Sequence, residues 1–293
     1  MGLGAKISND GDSGDTVQPT TATLRDAVFG LAVGDALGVP GEFQNRGSYR
    51  IEGMVKGGVH NQPPGTWSDD TAMTIATCAS IKKQGKIDVP DIRKQFRAWL
   101  YKGDYTVDGK AFDCGNTVSD ALREGRGCSG ERSNGNGSLM RIIPLAFLDV
   151  EDKTVEKVSA ITHAHAISKQ ACVLYIRFAQ KLLAGCTPKQ SLDVFDEAAK
   201  PFNRLGQIDQ LEEQEIRSSG YVIDTLEAAL WCLTTTNSYH DCIIKAVNLG
   251  NDTDTVAAVA GAVAGIYYGI DSMPEEWLNT LRGKDVIESC LFE

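Results

Sequence analysis

Asn251-Asp252-Thr253-Asp254-Thr255 runs directly into Val256-Ala257-Ala258-Val259-Ala260-Gly261-Ala262-Val263-Ala264-Gly265-Ile266-Tyr267-Tyr268, and this stretch decides the fold. From Thr255 to Tyr268 the apolar residues cover every face of a helix, and a helix that is apolar all round is buried on all sides. Glycine costs about 1 kcal/mol in a helix interior relative to alanine. Gly261 and Gly265 therefore need close packing of a neighbouring backbone to offset that cost. A buried central helix that begins at two carboxylates is where chemistry is expected.

Outward from this helix the rest of the chain repeats a helical period. Thr23 with Asp26 resembles a capping box, and Leu24, Ala27, Val28, Leu31 and Ala32 mark one apolar face. Gly38-Val39-Pro40-Gly41 stops that helix. Further stripes fall at Ile92, Phe96, Trp99 and Leu100, at Ala171, Leu174, Tyr175, Phe178 and Leu182, at Val222, Leu226, Ala229, Leu230 and Leu233, and at Cys242, Ile243, Ala246 and Val247. No run of alternating β-branched residues reaches strand length, and only Arg50 to His60 has the glycine punctuation of a short hairpin or loop. The expectation is an all-α fold built around the buried Ala/Gly helix. Residues 1–20, rich in Gly, Asp, Ser and Thr, read as a disordered tail. Residues 21–293 read as one domain.

Composition narrows the function classes. A net charge of −10 with no basic stripe argues against a nucleic-acid partner. The longest apolar run, Val256 to Ile270, falls short of the ~20 residues a membrane helix needs. None of the eight cysteines forms a C-x-x-C pair, and several lie in apolar helical runs. They read as reduced core residues of a cytoplasmic protein, and the four histidines show no zinc-ligand spacing with them.

Two acidic clusters stand out. Trp67-Ser68-Asp69-Asp70-Thr71 precedes an apolar helix from Ala72 to Ile81, and Asn251 to Thr255 precedes the Ala/Gly helix. Capping alone is the plain explanation, since Ser, Thr, Asp and Asn are good N-caps and acids suit the positive end of the helix dipole. It explains one acid per helix and leaves the second acid of each pair without a reason. Four carboxylates at the base of a buried helix are costly unless cations compensate them. Hard divalent ions such as Mg²⁺ or Mn²⁺ favour carboxylate and hydroxyl oxygens. Ser68 and Thr255 add hydroxyls, and Glu42 could complete the set. Oxygen ligands from two distant segments fit two ions better than one, on condition that the segments meet in space.

At these residues the chain resembles the ADP-ribosylglycohydrolase family. The resemblance runs from Asp26 to Gly269 through six ordered motifs. They are Gly34-Asp35-Ala36-Leu37-Gly38 with Glu42 following, Ser68 to Met73, Asp113-Cys114-Gly115-Asn116-Thr117, Gly135-Asn136-Gly137-Ser138-Leu139-Met140-Arg141, Thr162-His163, and Gly250 to Thr255. The resemblance implies a compact orthogonal multi-helix bundle around a binuclear Mg²⁺ or Mn²⁺ site. It implies Ser68, Asp69, Asp70, Asp252, Asp254 and Thr255 as metal ligands, Glu42 and Asp113 as catalytic residues, and Asn116, Gly135, Asn136, Gly137, Ser138 and His163 as contacts to ADP-ribose. Cys114 and Ser68 depart from the family's usual aliphatic residue and Thr, without removing an oxygen ligand.

Several neighbours have plainer readings. Asp35 follows a glycine late in its helix and reads equally as a solvated residue, so it stays outside the site. Asp113 could form an Asx turn. Arg141 pairs with either a core acid or a phosphate. His165 reads as a packing residue, and Trp67 and Tyr101 as core rather than as adenine stackers. The function implied is hydrolysis of the glycosidic bond between ADP-ribose and a modified protein side chain, or within an ADP-ribose-containing small molecule. Arginine linkage is favoured over serine linkage because the Asp113 to Thr117 segment is intact. The alternatives are a non-catalytic ADP-ribose binder or crystallin-like structural member, and a two-metal hydrolase of another phosphate or nucleotide substrate.

Overall fold

The computed structural model describes residues 20–293, and the tail expected over residues 1–20 lies outside them except for Thr20, whose N–H donates to Leu183 O at 3.2 Å. Eleven α-helices follow among the described residues: α1 Leu24–Gly38, α2 Asp69–Gln84, α3 Val89–Lys102, α4 Asn116–Glu124, α5 Asp152–Ser159, α6 Ala166–Leu183, α7 Val222–Thr234, α8 Tyr239–Val247, α9 Thr253–Tyr268, α10 Glu275–Thr280 and α11 Lys284–Cys290. Short 3-10 turns and loops join them. The β-structure is confined to isolated bridges such as Gly57 with Gln62, so the Arg50 to His60 segment is a loop and the fold is all-α.

Local chemistry sets the ends. The Asp26 carboxylate reaches back over the start of α1 to accept from the Thr23 N–H and hydroxyl, both at 2.7 Å. Ser68 caps α2 and Asp88 caps α3. Both helices end on a left-handed glycine, Gly85 and Gly103, whose N–H closes the last turn. α2 begins at Asp69 rather than Ala72, so the acids form its first turn instead of preceding it.

α9 is buried from Thr253 to Ile266, packed among α1, α6, α7 and α8 with the start of α2. Its main partner α1 is buried just as completely, not along a single stripe. The two run antiparallel with their backbones in contact. A Cβ placed on Gly30 would lie 2.3 Å from Gly261 O, one on Gly34 2.1 Å from Ala257 O, and one on Gly38 2.3 Å from Asp254 Cα. Only glycine permits that approach. It explains why both helices tolerate glycines that propensity disfavours, and it brings the C-terminal end of α1 to the first turn of α9. Trp67 is buried, with Nε1 donating to Arg282 O at 2.9 Å. Tyr101 departs from its expected core position: its ring is 56% exposed beneath the Arg97 guanidinium. No helix among the described residues is long and apolar enough to cross a membrane.

Candidate metal centre and cleft

The end of α1 and the first turns of α2 and α9 meet at one point. Thr255 Oγ1 lies 3.4 Å from Asp70 Oδ2, joining clusters that are 185 residues apart in sequence. Carboxylate oxygens of Asp35, Asp70 and Asp254 lie within 4.8 Å of one another, as do those of Glu42, Asp252 and Asp254. Asp35, Asp70 and Asp254 are fully buried, and Asp69, Glu42, Ser68 and Thr255 nearly so.

Such crowding needs compensation. Asp70 Oδ1, Asp252 Oδ1 and Asp254 Oδ2 are buried without a hydrogen-bond partner among the described residues, whereas native proteins pair almost every buried polar atom. Burial, with the charge of Asp35 next in weight, holds the Asp70 carboxyl well above its usual range. Burial does the same for Asp69, aided by Asp113, and for Asp254, aided by Glu42. A divalent cation inverts this logic by making the charged form the favoured one. Carboxylate and hydroxyl oxygens are the donor set of a hard ion. The residues fit such an ion.

Asp35 corrects the sequence reading. Far from being solvated, it accepts from Ser68 N at 2.8 Å, Thr71 N at 3.0 Å and Thr71 Oγ1 at 2.6 Å, and so fixes the turn that carries Asp69 and Asp70. Burial raises its pKa to about 6 against the pull of those bonds. The available signal was an acid on a helix with no polar face. His60, which no motif marked, is the second omission. Its Nε2 lies 2.6 Å from Glu42 Oε2 and 3.5 Å from Asp113 Oδ1, with the ring beside Phe112 and Phe43. Burial pushes Glu42 up to about 7; the His60 bond opposes this, and Asp113 and Asp252 add to it.

Glu42, Asp69, Asp113, Asp252 and Thr255 line a cleft of about 400 Å³, whose walls include Asn116, Gly135, Gly137, His163 and Gly220. Arg132, also missed in sequence, brings a cation to the wall. The Asn136 amide donates to Asp252 Oδ2 and to Thr225 Oγ1, both at 2.9 Å, and therefore orients a metal-site acid. Its backbone N–H is taken by Gly220 O. Ser138 is turned into the core, its hydroxyl against Ser159 and Cys172. His163 is nearly buried behind Gly135 and Gly137. His165 caps α6, its Nδ1 accepting from Ile167 N. Among the described residues Arg141 pairs with no acid, and it does not line the cleft. Its guanidinium stacks on Phe96 and donates to Val158 O and Thr162 Oγ1.

Backbone conformation is unusual around the site. Phe43, Asn61, Asp113 and Asn251 all have φ near +50 to +60°, a region costly for residues other than glycine and typical of functional loops. Phe43 N–H donates to Asn251 O at 2.6 Å and Asn251 N–H to Gln44 O at 2.8 Å. Arg46 adds bonds to Leu249 O, Glu213 O and Ile216 O. The segment bearing Glu42 is thus stitched to the one that precedes Asp252.

The sequence model of the ADP-ribosylglycohydrolase family matches residues 18–292. The chain is similar to the ADP-ribosylarginine hydrolase Tri1 of Pseudomonas putida (strain GB-1), 36% identical over 282 residues, covering 91% of this chain and 76% of that protein. It is 34% identical over 275 residues to the ADP-ribosyl-(dinitrogen reductase) glycohydrolase of Rhodospirillum rubrum, covering 88% of this chain and 90% of that one. A solved structure described as an ADP-ribosylglycohydrolase-related protein complex superposes with a TM-score of 0.78 at 28% identity, covering 91% of this chain and 94% of that one.

Proposed function

This chain belongs to the ADP-ribosylglycohydrolase family, and from that premise we propose that it is a metal-dependent hydrolase releasing ADP-ribose from a modified side chain, with arginine-linked acceptors preferred. The observation that carries the metal dependence is the set of three buried carboxylate oxygens left without partners where α2 and α9 meet. Ser68, Asp69, Asp70, Asp252, Asp254 and Thr255 would hold two ions, Mg²⁺ or Mn²⁺, with Asp35 and Asn136 orienting the acids. When bound, the ions supply positive charge that neutralises the acids and polarises oxygen ligands.

The chain's own residues do the rest. Cleavage at the anomeric carbon passes through an oxocarbenium-like state and needs a water to attack that carbon and a proton for the leaving group. Glu42, which lines the cleft and is hydrogen-bonded to His60, is placed to exchange that proton. Its Oε2 is engaged by His60, so exchange falls to Oε1. Asp113 closes the same side of the cleft, its Oδ1 standing 3.5 Å from the same His60 Nε2 that meets Glu42. Asn116, Arg132 and the Gly135 to Gly137 loop flank the space for an ADP-ribose diphosphate, and burial in the cleft walls shields the reacting centre from bulk water. Residues 21–293 act as one catalytic unit, supported by a single hydrophobic core. Five of the eight cysteines are buried, which suits the reducing cytoplasm.

Mass spectrometry of arginine- and serine-ADP-ribosylated peptides incubated side by side tests the reading. Free ADP-ribose and restored arginine peptide are expected, with slower release from serine. Binding without turnover, or release of phosphate in place of ADP-ribose, sinks it. Chelator treatment should abolish release and Mg²⁺ or Mn²⁺ should restore it. Arg132→Ala should raise KM roughly tenfold with little change in kcat, because a charge-assisted hydrogen bond contributes about 1.5–3 kcal/mol. A fall in kcat alone would remove Arg132 from substrate binding.

A further inference from the structure

Behind the cleft wall lies a buried cation with no acid beside it. Arg141 is fully buried; among the described residues its Nε and Nη1 have no hydrogen-bond partner, and only Nη2 is engaged, with Val158 O at 3.3 Å and Thr162 Oγ1 at 2.9 Å. Thr162 Oγ1 in turn lies 2.9 Å from His163 Nδ1. We propose that Arg141 and Thr162 are positioning residues that lock His163 in its Nε2–H tautomer, so that the ring presents a fixed hydrogen-bond donor to an anionic oxygen of the substrate in the cleft.

The geometry dictates the direction of each proton. A guanidinium only donates, so the Thr162 hydroxyl oxygen accepts from Arg141. That hydroxyl has one proton of its own, and His163 Nδ1 is its other partner among the described residues. If Nδ1 carried a hydrogen, the Thr162 oxygen would accept twice and its proton would be buried with no acceptor, at the full desolvation cost. Nδ1 is therefore the acceptor, and a neutral imidazole then carries its proton on Nε2. Burial first, and the Arg141 charge second, hold the His163 pKa at about 3, which keeps the ring neutral. Arg141 itself, lowered by burial to about 10, remains a cation at neutral pH.

The backbone that carries the ring is also held in place. His163 N–H donates to Ser159 O, and the neighbouring N–H groups of Ala164 and Cys128 close a bridge around it. Nε2 makes no hydrogen bond among the described residues and faces the wall at Gly135, where an added Cβ would stand 3.5 Å away. At Gly137 an added Cβ would stand 2.9 Å from His163 Cε1. These two glycines leave the donor open to the cleft. The purely structural alternative is that Arg141 only binds a carbonyl in the last turn of α5, where a cation suits the helix dipole. That alternative gives Thr162 no part in the histidine.

The consequence for substrate rests on the hydrolase reading above, whereas the tautomer does not, and one experiment separates the two. Long-range ¹H–¹⁵N spectra of the ¹⁵N-histidine-labelled full chain, with His163 assigned by its loss in His163→Gln, report which ring nitrogen carries the proton. The wild-type ring is expected as Nε2–H alone. Thr162→Val should admit the Nδ1–H form and weaken ADP-ribose binding about tenfold by calorimetry, while Thr162→Ser should preserve both. A wild-type ring protonated on Nδ1, or one unchanged in Thr162→Val, overturns the relay. The wild-type spectrum decides this even if the valine variant does not fold. Undiminished ADP-ribose binding beside an altered ring overturns its role in the cleft, and a wild type that binds no ADP-ribose at all rejects the hydrolase reading instead.

Discussion

Asp70→Asn and Asp254→Asn are each expected to lower hydrolysis by more than about 100-fold while making the metal-free protein harder to melt. Groups that merely orient metal ligands already carry about 10–100-fold in affinity or activity, so loss of a ligand oxygen must exceed that. The stability gain follows from burial. Both carboxyls are fully buried, crowded by like charges, and leave an oxygen unpaired. Asparagine removes a charge without changing the shape. The midpoint should rise by a few degrees in chelator, since about 1 kcal/mol corresponds to ~2–4 °C in a chain approaching this size. Added Mg²⁺ should stabilise the wild type and not the variants. Variants that melt earlier than wild type in chelator would mean that the acids are paired within the protein, contrary to the metal-site reading.

Burial of the acids also sets a pH dependence for the metal-free wild type. Asp35 is raised from 3.8 to about 6 and Glu42 from 4.5 to about 7. Between the unfolded and folded values the native state binds more protons than the unfolded one, so stability falls as pH rises from about 4 to about 7. The slope should flatten when Mg²⁺ is present, because the bound ion favours the ionised acids.

Gly38→Ala is expected to damage both the fold and the metal site. Its new methyl would sit 2.3 Å from Asp254 Cα and 2.5 Å from Asp254 N, and neither atom is a flexible side-chain end that can turn aside. Either α1 and α9 separate or the first turn of α9 shifts. Overpacking of this kind costs about 1–3 kcal/mol, occasionally more, and the shift falls on a proposed ligand. Mn²⁺ affinity should drop at least about tenfold by calorimetry. Gly30→Ala, which meets Gly261 O at 2.3 Å about two turns away, should lose comparable stability and retain more of the Mn²⁺ affinity. Gly115→Ala, where a methyl meets nothing within 4 Å, should melt like wild type. Normal melting and Mn²⁺ binding in Gly38→Ala would show that the seam between the helices yields freely.

What the sequence reveals and what it conceals divide along a physical line. α9 is legible because apolarity on every face has one structural solution. The acidic pairs are legible because adjacent like charges before an apolar helix are hard to explain by capping. α1 is only partly legible because glycines do not count toward an apolar stripe, although here they form its contact surface. Asp35 misled for the opposite reason: one acid late in a helix usually faces water, and only the arrival of Ser68 and Thr71 from another segment makes it an anchor. His60 lies in an aperiodic loop, and its partnership with Glu42 exists only after folding. Ser138 belongs to a recognisable motif, but a loop has no period from which to read where its hydroxyl points.

The hydrogen bonds between Phe43, Gln44 and Asn251, with Arg46 clamped across Leu249 and Ile216, join two stretches of chain into a single raft. Glu42 rides at one edge of it and Asp252 at the other. Swinging the proton-handling carboxyl aside to admit a bulky guest therefore tugs on an acid proposed to grip an ion. Enlarging the entrance and keeping the cations are opposing demands in this architecture, and variants selected for wider substrate tolerance should leak metal.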